Sequence, residues 1–346
     1  MKILVIGDLH VTVKNLHIYA DVAKEIYLKI EELKPDFVVS LGDTLDTHER
    51  IHMQCLCFAV DFYKKIANKV PLIVIQGNHD RQSNSDYMTD IHPFTGLVGF
   101  PNITIVSSTI RIKDLVFVPY VPTKRFNEAL ANTSLEGVKY LFAHQEFKGC
   151  RMKKTTSSSG DIWDKSIPII SGHIHEFQTL NNIVYVGSVM QNDYDENPDK
   201  ALLWMDTEDR TSDQNFGDGG GGSMKRIYLS SIVKKVTVRL TTEQLQRFGE
   251  HLPTTSEKIL IKVIVTADVV EIAAITKSPA FLACEKIVDK IVFERTNQSA
   301  SIAKSIIQNS QGREMRQEEV SLEQLVKTFL NEDKESYDLF VKLLEN

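Results

Sequence analysis

Residues 1–10, MKILVIGDLH, are an apolar run that ends at Gly7 and leads directly into Asp8 and His10. Side chains alternate along a strand with a period of two, so both polar side chains point to the same side of the chain. They could therefore share one metal ion. An isolated Asp-x-His is more often a strand end with a surface histidine, so the metal interpretation depends on partners elsewhere.

The first 80 residues alternate apolar strands with amphipathic helices. The runs KILVIGD, DFVVSLGD and PLIVIQGNHD are separated by helical patterns over residues 16–30 and 52–68. This alternation predicts a parallel sheet covered by helices. Beyond residue 102, short strands with few helices between them predict a second layer of sheet. The sequence therefore predicts an α/β fold with a two-layered β-sandwich core flanked by helices.

Four further apolar strands end in polar residues of the same kind. Carboxyl ends of strands in an α/β sheet share one edge, where ligands of such folds bind. Imidazole, carboxylate and amide groups without a thiolate suit manganese, iron or zinc at a catalytic site. Seven ligands are too many for one ion, but they make two sites if one carboxylate bridges, and such a pair of ions can hydrolyse a phosphoester. With Asp8 and His10, the candidate ligands are Asp43, Asn78, His144, His173 and His175.

These strand ends read GDLH, GDTLD, GNHD, FAHQE and GHIH. In that order they resemble the calcineurin-like metallophosphoesterase superfamily over about 200 residues. The resemblance implies two divalent ions, with Mn²⁺ expected. It also implies that His79 faces the scissile phosphate, where it stabilises the transition state or protonates the leaving oxygen, and that Asp80 orients the His79 ring. The implied first site is Asp8, His10, Asp43 and His175, and the second is Asn78, His144 and His173, with Asp43 bridging.

The sequence after this phosphoesterase domain, predicted over 1–213, indicates further units. GDGGGGS predicts a flexible linker over 214–224, because consecutive glycines have no side chains to pack. Residues 225–296 predict a small α/β capping domain. They carry 12 Lys and Arg against 8 Asp and Glu, a net +4 in a chain whose total is −6. A second linker over 297–318 precedes two amphipathic C-terminal helices over 319–346.

A phosphoesterase core followed by a basic cap and a tethered helix pair resembles the SbcD-type nuclease subunit of recombination and repair complexes, in its compact bacterial or phage form. The resemblance implies exonuclease or endonuclease activity on duplex ends and single strands of DNA. It also implies a homodimer formed through the core helix over 52–68, and docking of the terminal helices on an SbcC-like coiled-coil ATPase. The docking residues would be Leu322, Leu325, Val326, Phe329, Tyr337, Phe340 and Leu344.

One position departs from that family. Many relatives carry a histidine three residues after the bridging aspartate, where this chain has Asp46, and the nearest histidine is His48. His48 is a candidate for contacting the DNA strand, with a solvated loop residue as the alternative. The basic residues that follow His144 predict contacts with DNA phosphates. The alternative is that they belong to a solvated loop. They are Lys148, Arg151, Lys153 and Lys154.

Two other functions stay open. A phosphatase or phosphodiesterase acting on a small molecule or phosphoprotein would use the same ligands but would not explain the basic cap and terminal helices. A non-catalytic scaffold of this fold is disfavoured by the complete ligand set. The 42% hydrophobic composition, four scattered cysteines and lack of a long apolar run predict a soluble cytoplasmic protein without membrane association.

Overall fold

The computed structural model describes residues 1–47, 50–153, 155–208, 223–255 and 258–295. In chain order the strands are β1 (Lys2–Ile6), β2 (Phe37–Ser40), β3 (Leu72–Ile75), β4 (Ile103–Val106), β5 (Ile110–Ile112), β6 (Leu115–Val118), β7 (Tyr140–His144), β8 (Arg151–Met152), β9 (Thr155–Thr156), β10 (Ile169–Gly172), β11 (Gln178–Leu180), β12 (Ile183–Tyr185), β13 (Leu202–Asp206), β14 (Ser223–Ile227), β15 (Lys234–Thr241), β16 (Ile259–Ala267) and β17 (Lys290–Arg295). The helices are α1 (Leu16–Leu33), α2 (Met53–Ala67), α3 (Phe126–Ala129), α4 (Thr242–Leu245), α5 (Phe248–His251), α6 (Val269–Ile275) and α7 (Pro279–Glu285).

Two six-stranded sheets form the core, which confirms the predicted α/β sandwich. The first has the order β14-β13-β1-β2-β3-β4, and its strands β1 to β4 are parallel. The second has the order β11-β12-β10-β7-β6-β5, with β12, β10, β7 and β6 parallel. Within each sheet the parallel strands therefore end at the same edge. The residues that follow β1, β2, β3, β7 and β10 lie at these edges.

Apolar side chains from both sheets fill the space between them. Val5 and Val39 of the first sheet belong to the same buried cluster as Phe117 and Phe142 of the second. The opposite face of the first sheet is covered by α1 and α2 through a separate buried cluster that includes Tyr19 and Phe62. Parallel strands buried on both faces need such continuous apolar runs, which is why β1 and β3 read KILVI and LIVI.

Strands β15, β16 and β17 form a separate three-stranded sheet. Strands β15 and β16 are parallel, and their apolar side chains form a small cluster with residues of α4 and α7. Strand β14 differs from the predicted domain plan. It pairs with β13 as the edge of the first sheet, so residues 223–227 belong to the sandwich and not to the linker or the capping unit.

Several predicted features lie outside the described residues. They include most of the glycine-rich linker, the second linker, both C-terminal helices with all seven proposed docking residues, His48 and Lys154. Among the helices that the structure does describe, none is long and apolar enough to cross a membrane.

Candidate metal centre

The seven predicted ligands lie together at one edge of the sandwich. Asp8 and His10 follow β1, Asp43 follows β2 and Asn78 follows β3. The second sheet contributes the remaining three, His144 as the last residue of β7 and His173 and His175 just after β10. Because both sheets end at this edge, neighbouring strand ends place the ligands from distant parts of the sequence side by side.

One group of ligands surrounds His10. Its Nε2 lies 3.0 Å from Nε2 of His175 and 3.6 Å from Oδ2 of Asp43. Nε2 of His175 is also 3.9 Å from Oδ2 of Asp8. Ligand atoms of Asp8, His10 and His175 all lie within 4.8 Å of one another, so one ion placed among them would be within reach of each.

The second group surrounds His144. Its Nε2 lies 3.2 Å from Oδ2 of Asp43 and 3.0 Å from Oδ1 of Asn78. Nδ1 of His173 is 2.8 Å from the same Asn78 oxygen and 3.3 Å from Nε2 of His144. The single oxygen Oδ2 of Asp43 therefore faces His10 on one side and His144 on the other, which is the position that a bridging carboxylate requires.

The backbone at the centre is unusual. Three of the ligands have left-handed φ values, 48° for His10, 48° for Asp43 and 74° for His173. Residues other than glycine rarely adopt this conformation, and it concentrates at functional sites. The other oxygen of Asp43, Oδ1, accepts a 2.8 Å hydrogen bond from the backbone N–H of His79, which leaves Oδ2 directed at the ligands.

Burial and the charges of neighbouring residues shift the pKa values of several residues in this cluster. Burial alone would raise the pKa of Asp43, but the charges of His144 and His10 outweigh it and hold that pKa well below its usual range. Burial would lower the pKa of His144, but the Asp43 carboxylate raises it to about 9. Burial, joined by the charge of His144, lowers the pKa of His173 to about 3. Facing imidazole nitrogens and carboxylate oxygens in a buried site form a donor set that fits divalent metal ions.

The His79 ring lies at the rim of this cluster, with its centroid 4.8 Å from that of His10. Its Nδ1 is 2.7 Å from the backbone carbonyl oxygen of Asp46. A carbonyl oxygen can only accept a hydrogen bond, so Nδ1 of His79 carries the proton in that bond. The prediction that Asp80 orients the ring is corrected here, because the contact that fixes Nδ1 comes from Asp46.

Asp80 instead binds the backbone of two loops. Its fully buried carboxylate accepts hydrogen bonds from the N–H groups of Thr44 at 3.1 Å, Leu45 at 3.3 Å and Gly77 at 3.3 Å. Burial and the nearby charge of Asp43 raise the pKa of Asp80 to about 7. Asp80 thus holds the loop that carries Asp43 against the loop that carries Asn78. Its effect on His79 is indirect.

The sequence pattern of the calcineurin-like phosphoesterase family matches residues 1–210, more than half of the chain. The chain belongs to the calcineurin-like phosphoesterase family. "Putative phosphoesterase 244L" of Invertebrate iridescent virus 6 is 40% identical to this phosphoesterase over 215 residues, which are 59% of this chain and 75% of that protein. "Putative phosphoesterase 078R" of Invertebrate iridescent virus 3 is 38% identical over 213 residues, 58% of this chain and 61% of its own.

Among solved structures, the nuclease MPE of Pseudomonas putida aligns with 59% of this phosphoesterase and 83% of its own chain. The identity is 15% and the TM-score is 0.31.

Three of the four predicted basic residues after His144 lie in the described part of the phosphoesterase. Lys148, Arg151 and Lys153 are exposed. Arg151 and Lys153 belong to the β8–β9 hairpin and line a cleft together with His173 and His175. The Lys153 ammonium is paired with Asp193 at 3.2 Å.

Two residues at the phosphoesterase site were missed by sequence reasoning. Oε1 of Glu196 is 2.9 Å from Nδ1 of His175, and its Oε2 is 3.0 Å from the Lys200 ammonium. Burial would raise the pKa of Glu196, but the hydrogen bond from His175 and the charge of Lys200 lower it to about 2. Both lie in the loop between β12 and β13, in the ordinary-looking stretch DYDENPDK. That stretch has no periodicity or metal-ligand spacing that could have revealed them.

Proposed function

We propose that this phosphoesterase is a nuclease that hydrolyses DNA phosphodiester bonds with two divalent ions, and that these ions are Mn²⁺. Asp8, His10, Asp43 and His175 would hold one ion, and Asp43, Asn78, His144 and His173 the other. Two such ions activate a water and hold the oxygens of a phosphoester in an in-line displacement. The convergence of both ligand groups on Oδ2 of Asp43 supports this assignment.

His79 is the proposed catalytic residue of this site. Its Nδ1 proton is held by the Asp46 carbonyl, so a second proton on Nε2 would be directed away from that bond, toward bound substrate. From there the protonated ring donates to a phosphate oxygen or to the leaving oxygen. Proton donation by a positioned side chain accelerates such reactions by about 10²- to 10⁴-fold.

The observation that favours DNA is the group of basic residues beside the metal edge. Arg151 and Lys153 line the cleft that contains His173 and His175. Lys153 pairs with Asp193, and at the next residue the ring centroid of Tyr194 lies 5.7 Å from the ammonium of Lys235 and 5.9 Å from that of Lys262. Cationic side chains position nucleic acid through its phosphates, and an aromatic ring among them offers a surface for a base.

Lys235 connects this basic surface to the metal centre. Its ammonium donates a 3.0 Å hydrogen bond to the carbonyl of Asn192, whose side-chain nitrogen lies 3.3 Å from Nδ1 of His175. A strand that runs from Lys262 past Lys235 would therefore reach the ligands directly. A small phosphomonoester would have no use for cations placed this far from the reacting centre.

The purified chain is tested on linear duplex DNA, single-stranded DNA and bis-p-nitrophenyl phosphate, with Mn²⁺ and with a chelator. We expect metal-dependent cleavage of all three. Lys235→Glu combined with Lys262→Glu should suppress cleavage of DNA but leave hydrolysis of the small diester intact. Hydrolysis of the diester by a wild-type chain that leaves DNA uncut would identify a small-molecule phosphodiesterase instead.

A partner ATPase is part of the proposal. Isolated helices of fewer than about 12 residues rarely persist in water, so the two short amphipathic segments over 319–346 need a surface to pack on. We propose an SbcC-like coiled-coil ATPase as that surface. Truncation after Gly312 should abolish co-purification with the ATPase and ATP-dependent digestion of duplex DNA, while manganese-dependent cleavage of single strands continues. Unchanged affinity of the truncated chain for the ATPase would refute the docking.

A homodimer through α2 is also proposed. Cys55, Phe62 and Tyr63 of this helix are buried in the core, whereas Met53 and Cys57 on the same helix are exposed. The exposed side of α2 is thus available to a second copy. Light scattering of the purified chain at high micromolar concentration should give the mass of a dimer, and a monomer under those conditions would contradict the proposal.

A further inference from the structure

The loop between β12 and β13 contains a buried ion pair that contacts a metal ligand. Glu196 and Lys200 each have a side chain that is 1% exposed, and their charged atoms are 3.0 Å apart. A buried ion pair contributes little net stability, because desolvation of two charges cancels most of the attraction between them. Its presence beside the metal edge calls for another explanation.

Every charged atom of this pair has a defined partner. The Lys200 ammonium donates to the backbone carbonyl of His175 at 2.7 Å, to the hydroxyl of Ser188 at 2.9 Å and to Oε2 of Glu196. Oε2 of Glu196 also accepts from the backbone N–H of Asn192 at 3.0 Å. The remaining oxygen, Oε1, faces Nδ1 of His175 at 2.9 Å. The pair therefore contacts both the backbone and the side chain of the same histidine.

These contacts determine which nitrogen of His175 is free. Nδ1 of His175 lies 2.9 Å from Oε1 of Glu196 and 3.3 Å from the amide nitrogen of Asn192, so the carboxylate is the nearer partner. An ionised carboxylate only accepts hydrogen bonds, so the bond to Glu196 requires a proton on Nδ1 of His175. The neutral ring then has its lone pair on Nε2, the nitrogen that faces Asp8 and His10. Metal-binding histidines commonly donate their second N–H to a carboxylate in this way, which fixes both the tautomer and the orientation of the ring.

We infer that Glu196 is a positioning residue for His175, held in place by Lys200, and that it sets the affinity of the Asp8–His10–His175 metal site. The inference rests on the proposed two-metal function. It assigns the pair to one of the two sites only, because the ring nitrogens of His144 and His173 face Asn78, Asp43, the carbonyl of Leu41 and each other.

The test is a calorimetric titration of the chelator-treated full chain with MnCl₂, with electron paramagnetic resonance as a second readout. The wild type should bind two ions and give the spectrum of an exchange-coupled manganese pair. Glu196→Ala should weaken one of the two sites by about 10- to 100-fold and leave the other unchanged. At one equivalent of Mn²⁺ it should show an uncoupled single ion.

Three further variants separate positioning from general destabilisation. Glu196→Gln keeps an oxygen that can accept the His175 proton, so it should restore part of the affinity. The double variant Glu196→Gln, Lys200→Met removes both charges at nearly constant volume, so it guards against a chain that fails to fold, and it should show a partial loss that is confined to the same site. Glu128→Gln breaks the exposed ion pair with Arg125 and should change neither site.

The outcomes separate the role of Glu196 from the proposed metal function. Unchanged binding at both sites in Glu196→Ala would overturn the inference, and so would equal weakening of both sites together with a lower melting temperature in chelator. A wild-type chain that binds no Mn²⁺ would overturn the proposed metal function itself. The two failures are therefore distinguishable.

Discussion

Replacing Asp80 with Ala should destabilise the protein more than it impairs the chemical step directly. The carboxylate is buried and accepts hydrogen bonds from the N–H groups of Thr44, Leu45 and Gly77. A buried donor left without an acceptor costs about 1 to 3 kcal/mol. Three such donors at the low end of that range give a loss of about 3 kcal/mol in the free energy of unfolding.

Urea denaturation of the chelated protein measures this loss. Asp80→Asn keeps one oxygen in place and should cost about half as much. Asp36→Ala is the matched control, because its exposed carboxylate accepts from the single backbone N–H of Lys2, and it should cost less than about 1 kcal/mol. If Asp80→Ala lost less than about 1 kcal/mol while diester hydrolysis fell by orders of magnitude, Asp80 would act on the reaction itself and the structural role would be refuted.

Three further outcomes are expected. His79→Ala should keep two bound Mn²⁺ ions by elemental analysis while the kcat for diester hydrolysis falls about 10²- to 10⁴-fold, and loss of an ion would make His79 a ligand instead. At pH 7 the metal-free His144 is protonated, because its pKa is about 9. Mn²⁺ binding should therefore release a proton, which calorimetry in buffers of different ionisation enthalpy measures. This release should vanish above pH 9. Lys262→Glu should lower the slope of log affinity for DNA against log salt by about 1, and an unchanged slope would exclude a phosphate contact.

The convergence of the candidate ligands could be predicted from the sequence because its signal is local. Asp8 and Asn78 each follow an apolar run within three residues, and one rule about parallel strands brings all such ends to a single edge. The sandwich was predictable for the same reason, since buried strands must read as continuous apolar runs.

Other features depend on the tertiary arrangement alone. Glu196 is 21 residues beyond His175 in sequence and follows no strand end, so nothing in its neighbourhood signals a contact with that ring. The motif predicted Asp80 as the partner of His79, and only the backbone path decides that the carbonyl of Asp46 makes the bond instead. The predicted linker over 214–224 and capping domain from 225 divide β14 between them, because composition marks the glycines but not the sheet that resumes after them.

The glycines of the ligand motifs follow from the crowding of the strand ends. A Cβ atom added at Gly77 would lie 2.2 Å from Oδ1 of Asp43, and one added at Gly172 would lie 2.6 Å from Oδ1 of Asp8 and 2.9 Å from Nδ1 of His144. Each of these glycines thus leaves room for ligands that other strands supply. Two sheets can bring seven ligands to two neighbouring sites only if their strand ends nearly touch, and a side chain at either glycine would occupy the space that the ligands need. The recurring Gly before Asn78 and His173 is therefore a packing requirement of the metal edge, imposed by residues at least 28 positions away in sequence.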